Sequence, residues 1–277
     1  MISLIDTHCH LDDTRLAPEL DAVLARMRAT GVVAAVTVGT DPSGCRWSAD
    51  LAEARPEIFA AVGFPPQEAG DPRPESDWET LTALAIRPRV VAIGETGLDW
   101  HRDRAPRDAQ RARFARHISI ARAAGKPLVI HCREAHADCL DQLRAEWPPP
   151  VSGVMHCFSG NADDARAALD LGLYLSFAAP VGYPGSTALR EAARVAPADR
   201  IVVETDAPWL PPQSRRGRRN EPAFVAETAA ALAAARGMTA GALAEITTQN
   251  AIALFRLTVS RIPLAPDSAS GNESILV

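Results

Sequence analysis

At 277 residues, 47% hydrophobic and 23% charged, the chain has ample apolar surface for a packed core, which excludes intrinsic disorder and fibrous architectures. Its 29 lysines and arginines against 34 aspartates and glutamates give a formal charge of −5, so without a local site the molecule does not attract nucleic acid or anionic membrane. No apolar run reaches the roughly 20 residues of a membrane span, and the first six residues lack the basic and long apolar regions of a signal peptide, so the expected location is cytoplasmic.

Short runs rich in Val and Ile predict strands at 2–6, 32–38, 58–63, 90–94, 127–130, 151–155, 173–177 and 201–204. Their near-continuous apolar character is that of buried parallel strands. Helical patterns lie between them, among others at 18–30, 107–124, 135–146, 162–171 and 222–236, with Gly31, Gly125 and Gly172 where C-caps belong. Eight alternating units predict the α/β class and a closed (β/α)8 barrel, a TIM barrel, as one domain over 1–257. A doubly wound sheet is the alternative, but it calls for a glycine-rich phosphate loop after the first strand, where Thr7-His8-Cys9-His10 stands. Residues 258–277 carry too little apolar surface to offset the entropy of ordering them and are expected to form a loose tail.

Four histidines, His8, His10, His131 and His156, follow directly on predicted strands, and Glu95 and Asp206 join them. In a parallel barrel all strand C-termini open on one face, so these six side chains converge there. Imidazoles and carboxylates at such density repel or stay unsatisfied without a counter-ion, and a divalent cation resolves both problems. Alternation along an extended segment points His8 and His10 together and Cys9 away, although an isolated pair of this kind is as often a loop with satisfied histidines. By the same parity Cys132 and Cys157 face away, and all three cysteines read as packing. Five cysteines, an odd number with no CxxC pair, fit neither a disulfide framework nor a zinc ribbon.

Glu95 follows a buried run, where an ionised carboxylate needs a metal or an arginine partner. Asp206 can serve both as a ligand and as the group that orients or deprotonates an attacking water. Asp99 and Glu204 are expected behind them as supports. His117, within a helical pattern, is expected at the surface, His136 has no expected role, and His101 lies in a loop from which it can reach substrate. Arg133 shares the face of His131 and reads as an anion clamp or as one half of a salt bridge. Arg215, Arg216, Arg218 and Arg219 form a basic lip on the same face, able to steer a polyanion or simply to stand in solvent.

Asp6-Thr7-His8-Cys9-His10-Leu11-Asp12, Gly94-Glu95-Thr96-Gly97-Leu98-Asp99, Ile130-His131-Cys132-Arg133-Glu134-Ala135, His156-Cys157-Phe158-Ser159-Gly160 and Glu204-Thr205-Asp206-Ala207-Pro208-Trp209-Leu210 resemble, in order, the successive motifs of the TatD family. The later Arg216-Gly217-Arg218-Arg219-Asn220-Glu221-Pro222 also matches its pattern. The resemblance implies an amidohydrolase-type TIM barrel and a metal-dependent hydrolase, several relatives being magnesium-dependent deoxyribonucleases that trim single strands from the 3′ end. It implies that His8, His10 and Asp206 hold one divalent ion and His131 and His156 a second, with Glu95 bridging them. Asp206 and Glu95 are then the catalytic carboxylates, and Arg133, His101 and Arg216 contact substrate. Zinc or manganese suits such a histidine-rich set, whereas magnesium is held more weakly. The expected partner is single-stranded DNA or a small-molecule substrate, with no membrane and no obligate protein.

One departure stands out: where the family shows a Gly-x-His-Pro-His segment, this chain reads Gly63-Phe64-Pro65-Pro66-Gln67, so Pro65 and Gln67 replace both histidines. That loss favours an alternative substrate, a small amide, ester or cyclic amidine cleaved on the same scaffold. A binding protein with a structural metal is a third possibility, against which the complete, partly acidic set argues.

Overall fold

Strand and helix alternate because each Val- and Ala-rich run buries both faces, here between a barrel interior and an outer layer of helices. The computed structural model describes residues 3–102 and 104–258. In chain order the elements are β1 (Leu4–Cys9), α1 (Leu20–Ala29), β2 (Val32–Gly39), α2 (Pro42–Ala54), β3 (Ile58–Val62), α3 (Glu75–Ala85), β4 (Val90–Asp99), α4 (Arg107–Ala124) and β5 (Leu128–Arg133). They continue as α5 (His136–Glu146), β6 (Gly153–Met155), α6 (Ala162–Asp170), β7 (Tyr174–Phe177), α7 (Thr187–Val195), β8 (Ile201–Val203), α8 (Val225–Arg236) and α9 (Ala240–Phe255). The strands pair in sequence order, every pair parallel. The seam between β8 and β1 is closed by the Asp206 N–H donating to the His8 carbonyl at 2.9 Å, the His10 N–H donating to the Ala207 carbonyl at 2.7 Å, and the Thr7 hydroxyl donating to the Val203 carbonyl at 2.9 Å. The fold is a (β/α)8 barrel.

Alternate strand residues feed two cores. Ile5, Val36, Phe59, Val129, Val154 and Val202 fill the barrel, joined by Leu254 and Phe255 from the end of α9. Their neighbours Leu4, Ala35, Ala60, Leu128, Met155 and Val203 face outward and pack under the helices. Gly31, Gly125 and Gly172 take left-handed φ where α1, α4 and α6 end, as C-capping requires. No helix among the described residues is long and apolar enough to cross a membrane. The tail expected over 258–277 lies, apart from Thr258, outside the described residues.

Three strands run further than their apolar residues indicate. β1 continues to Cys9, β4 to Asp99 and β5 to Arg133, so His8, Glu95 and His131 lie within strands rather than after them. Backbone pairing decides this: the β4–β5 ladder continues through Thr96 opposite Ile130 to Asp99 opposite Arg133. Polar side chains can occupy these strand ends because they pair with one another inside the barrel mouth. Gly97, opposite His131, makes the close approach possible; its φ is +137°, and a Cβ there would sit 2.0 Å from the His131 carbonyl oxygen. Gly97→Ala is expected to cost at least about 3 kcal/mol in urea denaturation, since both backbone strain and overlap with β5 must be relieved.

His117, expected at the surface, is fully buried on the inner side of α4. Its Nδ1–H donates to the Arg113 carbonyl at 2.8 Å and its Nε2 accepts the Phe64 N–H at 2.9 Å, with the Phe64 and Trp78 rings packed edge-on. His117 lies on the inner side of α4 with Phe114, Ile118 and Ala121, where the loop after β3 needs an acceptor for its N–H. Burial pushes the imidazole pKa down to about 3, so the folded protein keeps it neutral. The unfolded chain binds this proton near pH 6.5, so the stabilisation is fully present above that pH and is lost as the pH falls from about 6.5 towards 3. His117→Gln is expected to remove on the order of 5 kcal/mol of acid sensitivity across that window, read from urea midpoints against pH.

Candidate metal centre

β1, β4, β5, the turn after β6 and the loop after β8 bring His8, His10, Glu95, His131, His156 and Asp206 to one place at the C-terminal end of the barrel. All are buried but His131 and Asp206, which are intermediate. His8 Nε2 lies 3.1 Å from His10 Nε2, 3.8 Å from Glu95 Oε2 and 3.7 Å from Asp206 Oδ1. His10 Nε2 lies 4.0 Å from the same Glu95 oxygen and 3.6 Å from the same Asp206 oxygen. On the other side, Glu95 Oε1 is 2.7 Å from His131 Nδ1 and 3.3 Å from His156 Nε2, which are themselves 3.4 Å apart. Ligands around a tetrahedral ion with 2.0–2.2 Å bonds are spaced about 3.4 Å apart, the scale of these separations. Each oxygen of Glu95 thus faces a different set of nitrogens.

The outer partners determine which ring nitrogens are free. The Val38 carbonyl takes His10 Nδ1–H at 3.0 Å, leaving Nε2 with its lone pair turned inward. Asp99 Oδ2 takes His131 Nε2–H at 2.9 Å, which turns Nδ1 to Glu95. Glu204 Oε1 lies 3.3 Å from His156 Nδ1, leaving Nε2 inward, and the same oxygen accepts the Cys157 N–H at 2.8 Å. The other Glu204 oxygen accepts the Ser176 hydroxyl. His8 Nδ1 is buried with no hydrogen-bond partner. Lone pairs aimed at a carboxylate demand protons or a cation, and the set fits a metal on donor chemistry alone.

The electrostatics agree. Burial by itself would raise the Glu95 pKa, but the His156 charge and hydrogen bonds from His131 and His156 overcome it and hold the carboxyl well below its usual range. Burial likewise opposes protonation of His156, yet Glu95 and Glu204 drive its pKa well above the usual imidazole value. His8 goes the other way, depressed by burial and by the neighbouring His156 and His10.

A cavity of about 620 Å³ opens over the cluster. Arg133, at the end of β5, lines it, as do Pro65 and Gln67. The Gln67 amide donates to Asp99 Oδ2 at 2.9 Å. His101 and Arg216, the other expected substrate contacts, do not contribute to its wall: His101 is exposed and paired with Glu134 at 2.6 Å, and Arg216 stacks on Tyr183. In the arginine lip, Arg215 pairs with Glu227 and Arg219 with Glu19. Arg102, Arg104 and Trp209 do line the cavity without having been expected there, though Arg102 and Arg104 follow the motif ending at Asp99 within a few residues and Trp209 stands inside the motif after β8. Cys9 packs away from the site as expected, its thiol towards the Val36 carbonyl. Cys132 and Cys157, expected to face away, contribute to the cavity wall; Cys157 sits at φ +41° in a turn, where strand parity no longer applies.

The chain's residues 5–256 match the family model described as TatD related DNase. It is 38% identical over 254 residues to an uncharacterized metal-dependent hydrolase of Bacillus subtilis, YabD, covering 92% of this chain and 99% of the relative. A 3′–5′ ssDNA/RNA exonuclease TatD of Pantoea vagans is 37% identical over 272 residues, covering 92% and 100%. Among solved structures, the TatD homologue YJJV of Escherichia coli K12 superposes with a TM-score of 0.87 at 28% identity, covering 92% of this chain and 98% of that one. The chain belongs to the TatD family of metal-dependent hydrolases.

Because Asp99 fixes the His131 tautomer, Asp99→Asn is expected to weaken metal affinity tenfold to a hundredfold while leaving the fold intact, measured by competition with a chromophoric chelator.

Proposed function

We propose that this protein is a two-metal phosphodiesterase that trims single-stranded nucleic acid from its 3′ end. The observation that carries it is Glu95, whose two oxygens face two separate nitrogen sets within one buried cluster. His8, His10 and Asp206 would hold one divalent ion, His131 and His156 the other, and Glu95 would bridge them. Zinc or manganese fits the nitrogen-rich set better than magnesium. When bound, the two ions supply Lewis acidity at the phosphoryl oxygen and make a water acidic enough to attack at neutral pH.

The chain's own residues do the rest. Asp206 has more of its side chain exposed than Glu95, 16% against 10%, and its backbone is anchored to β1, so it is placed to take the proton of the attacking water. Arg133, Arg102 and Arg104 on the cavity wall give an acidic protein a local cationic surface for phosphates. His101 and Arg216, outside that wall, would meet only a substrate long enough to extend beyond the mouth. The relatives named as 3′–5′ exonucleases support the polarity. A cytoplasmic site of action belongs to the same proposal, in keeping with five free cysteines.

A second reading, a small-molecule amidase or esterase, is favoured by one feature: Pro65 and Gln67 stand in the cavity wall, and Gln67 is engaged with Asp99 rather than free to meet a phosphate. A 3′-labelled single-stranded oligonucleotide, incubated with metal-stripped protein and restored magnesium, manganese or zinc, separates the two. Stepwise shortening is expected, requiring metal and falling about 10²–10⁴-fold in Asp206→Ala and Glu95→Ala. A metal-loaded, folded protein that leaves the oligonucleotide intact would replace the nuclease with the amidase or esterase.

A further inference from the structure

Among the described residues the large apolar side chains left exposed are Ile86, Val195 and Trp209. Ile86 and Val195 cap the C-terminal ends of α3 and α7, at the face of the barrel opposite the cluster. Trp209 alone stands at the cavity mouth, 44% exposed, its ring centroid 4.9 Å from that of His10. Its backbone is not free to follow a loose loop. The buried Asn220 side chain donates to the carbonyls of Thr205, Trp209 and Leu210, and the Trp209 N–H donates to the Asp206 carbonyl at 2.9 Å. The Arg15 guanidinium lies over one face of the indole, 4.9 Å from the ring centroid, and is itself held by both oxygens of Asp13.

We propose that Trp209 is the stacking platform for the base beside the scissile phosphate, so that the enzyme requires a nucleobase at that position without reading its identity. The inference rests on the nuclease reading and deepens it. In a barrel whose strands run in order from β1 to β8, β4 and β8 lie across the mouth from one another. Trp209 follows β8 and Arg15 follows β1, whereas Arg102 and Arg104 follow β4 and Arg133 ends β5. One wall therefore offers an aromatic face and the opposite wall cations, with the cluster between them. A single strand entering this mouth can lay a base on the indole, set its phosphate over the cluster and run its backbone along the arginines. Every base has a π-face, so such a platform tolerates any sequence. An aliphatic ester or amide has nothing to place on it. Arg15, neutralised by Asp13, backs the indole from one face, so the base stacks on the other.

The test compares wild type, Trp209→Phe and Trp209→Leu on oligonucleotides that carry either a normal nucleotide or an abasic residue at the last or the penultimate position. Wild type and Trp209→Phe are expected to prefer the normal substrate by roughly five- to a hundredfold, through KM rather than kcat, at one of the two positions. Trp209→Leu, which keeps apolar bulk but lacks a π-face, is expected to lose that preference. Binding is read separately as quenching of Trp209 fluorescence by a deoxynucleoside monophosphate, taken as the difference between wild type and Trp209→Phe. An active Trp209→Leu enzyme that retains the full preference overturns the platform and leaves the nuclease standing. An enzyme that is folded and metal-loaded yet cleaves neither the normal nor the abasic oligonucleotide overturns the nuclease and the platform with it. Absence of Trp209 quenching together with no base preference in wild type overturns the platform outright.

Discussion

Glu95 is a carboxylate held inside a barrel mouth, nine-tenths of its side chain withdrawn from water, and the rest of the site follows from making that tolerable. An isolated ion there would neutralise itself; His131 and His156 against one of its oxygens keep it charged, with His8 and His10 beside the other. Those imidazoles are in turn oriented from behind by the Val38 carbonyl, Asp99 and Glu204. The cluster is thus an inner set of imidazoles and two carboxylates supported from behind by acceptors, and its inward lone pairs face a point where a cation supplies the counter-charge.

The barrel makes this possible by bringing together residues far apart in the chain. β1 and β8 are joined across nearly 200 residues by the hydrogen bonds of Thr205 to Asp6 and of Thr7 to Val203, directly beneath His8. β4 and β5 meet closely because Gly97 has no side chain, and that approach is what sets Glu95 against His131. Stability and site geometry are therefore coupled: substitutions at the strand ends disturb both at once.

Outside the cluster the wall divides its labour by position around the ring. Cations come from the β4 and β5 side, the exposed indole from the β8 side, and Gln67 from the loop after β3 extends the support of Asp99. An overall charge of −5 is no obstacle to an anionic substrate on this account, because the potential that matters is local to the mouth.

The sequence by itself determined the fold class and the members of the cluster. Val-rich runs at regular spacing demand a two-sided burial, eight of them without a glycine-rich loop after the first point to a barrel rather than a doubly wound sheet, and histidines and carboxylates placed where the runs end meet at the barrel's C-terminal mouth. It also marked Asp99 and Glu204 as supports, because their spacing from the inner residues is readable. Tertiary structure alone decided which ring nitrogen of each histidine faces inward, since that depends on partners from other strands. It decided that His117 is interior, because the acceptor it supplies serves a loop 53 residues away. It placed Arg102, Arg104 and Trp209 on the cavity wall and left His101 and Arg216 outside it, because loop direction beyond a strand end is set by packing and not by residue type. Local sequence carries periodicity and chemical kind; distance and orientation between segments arise only when the ring closes.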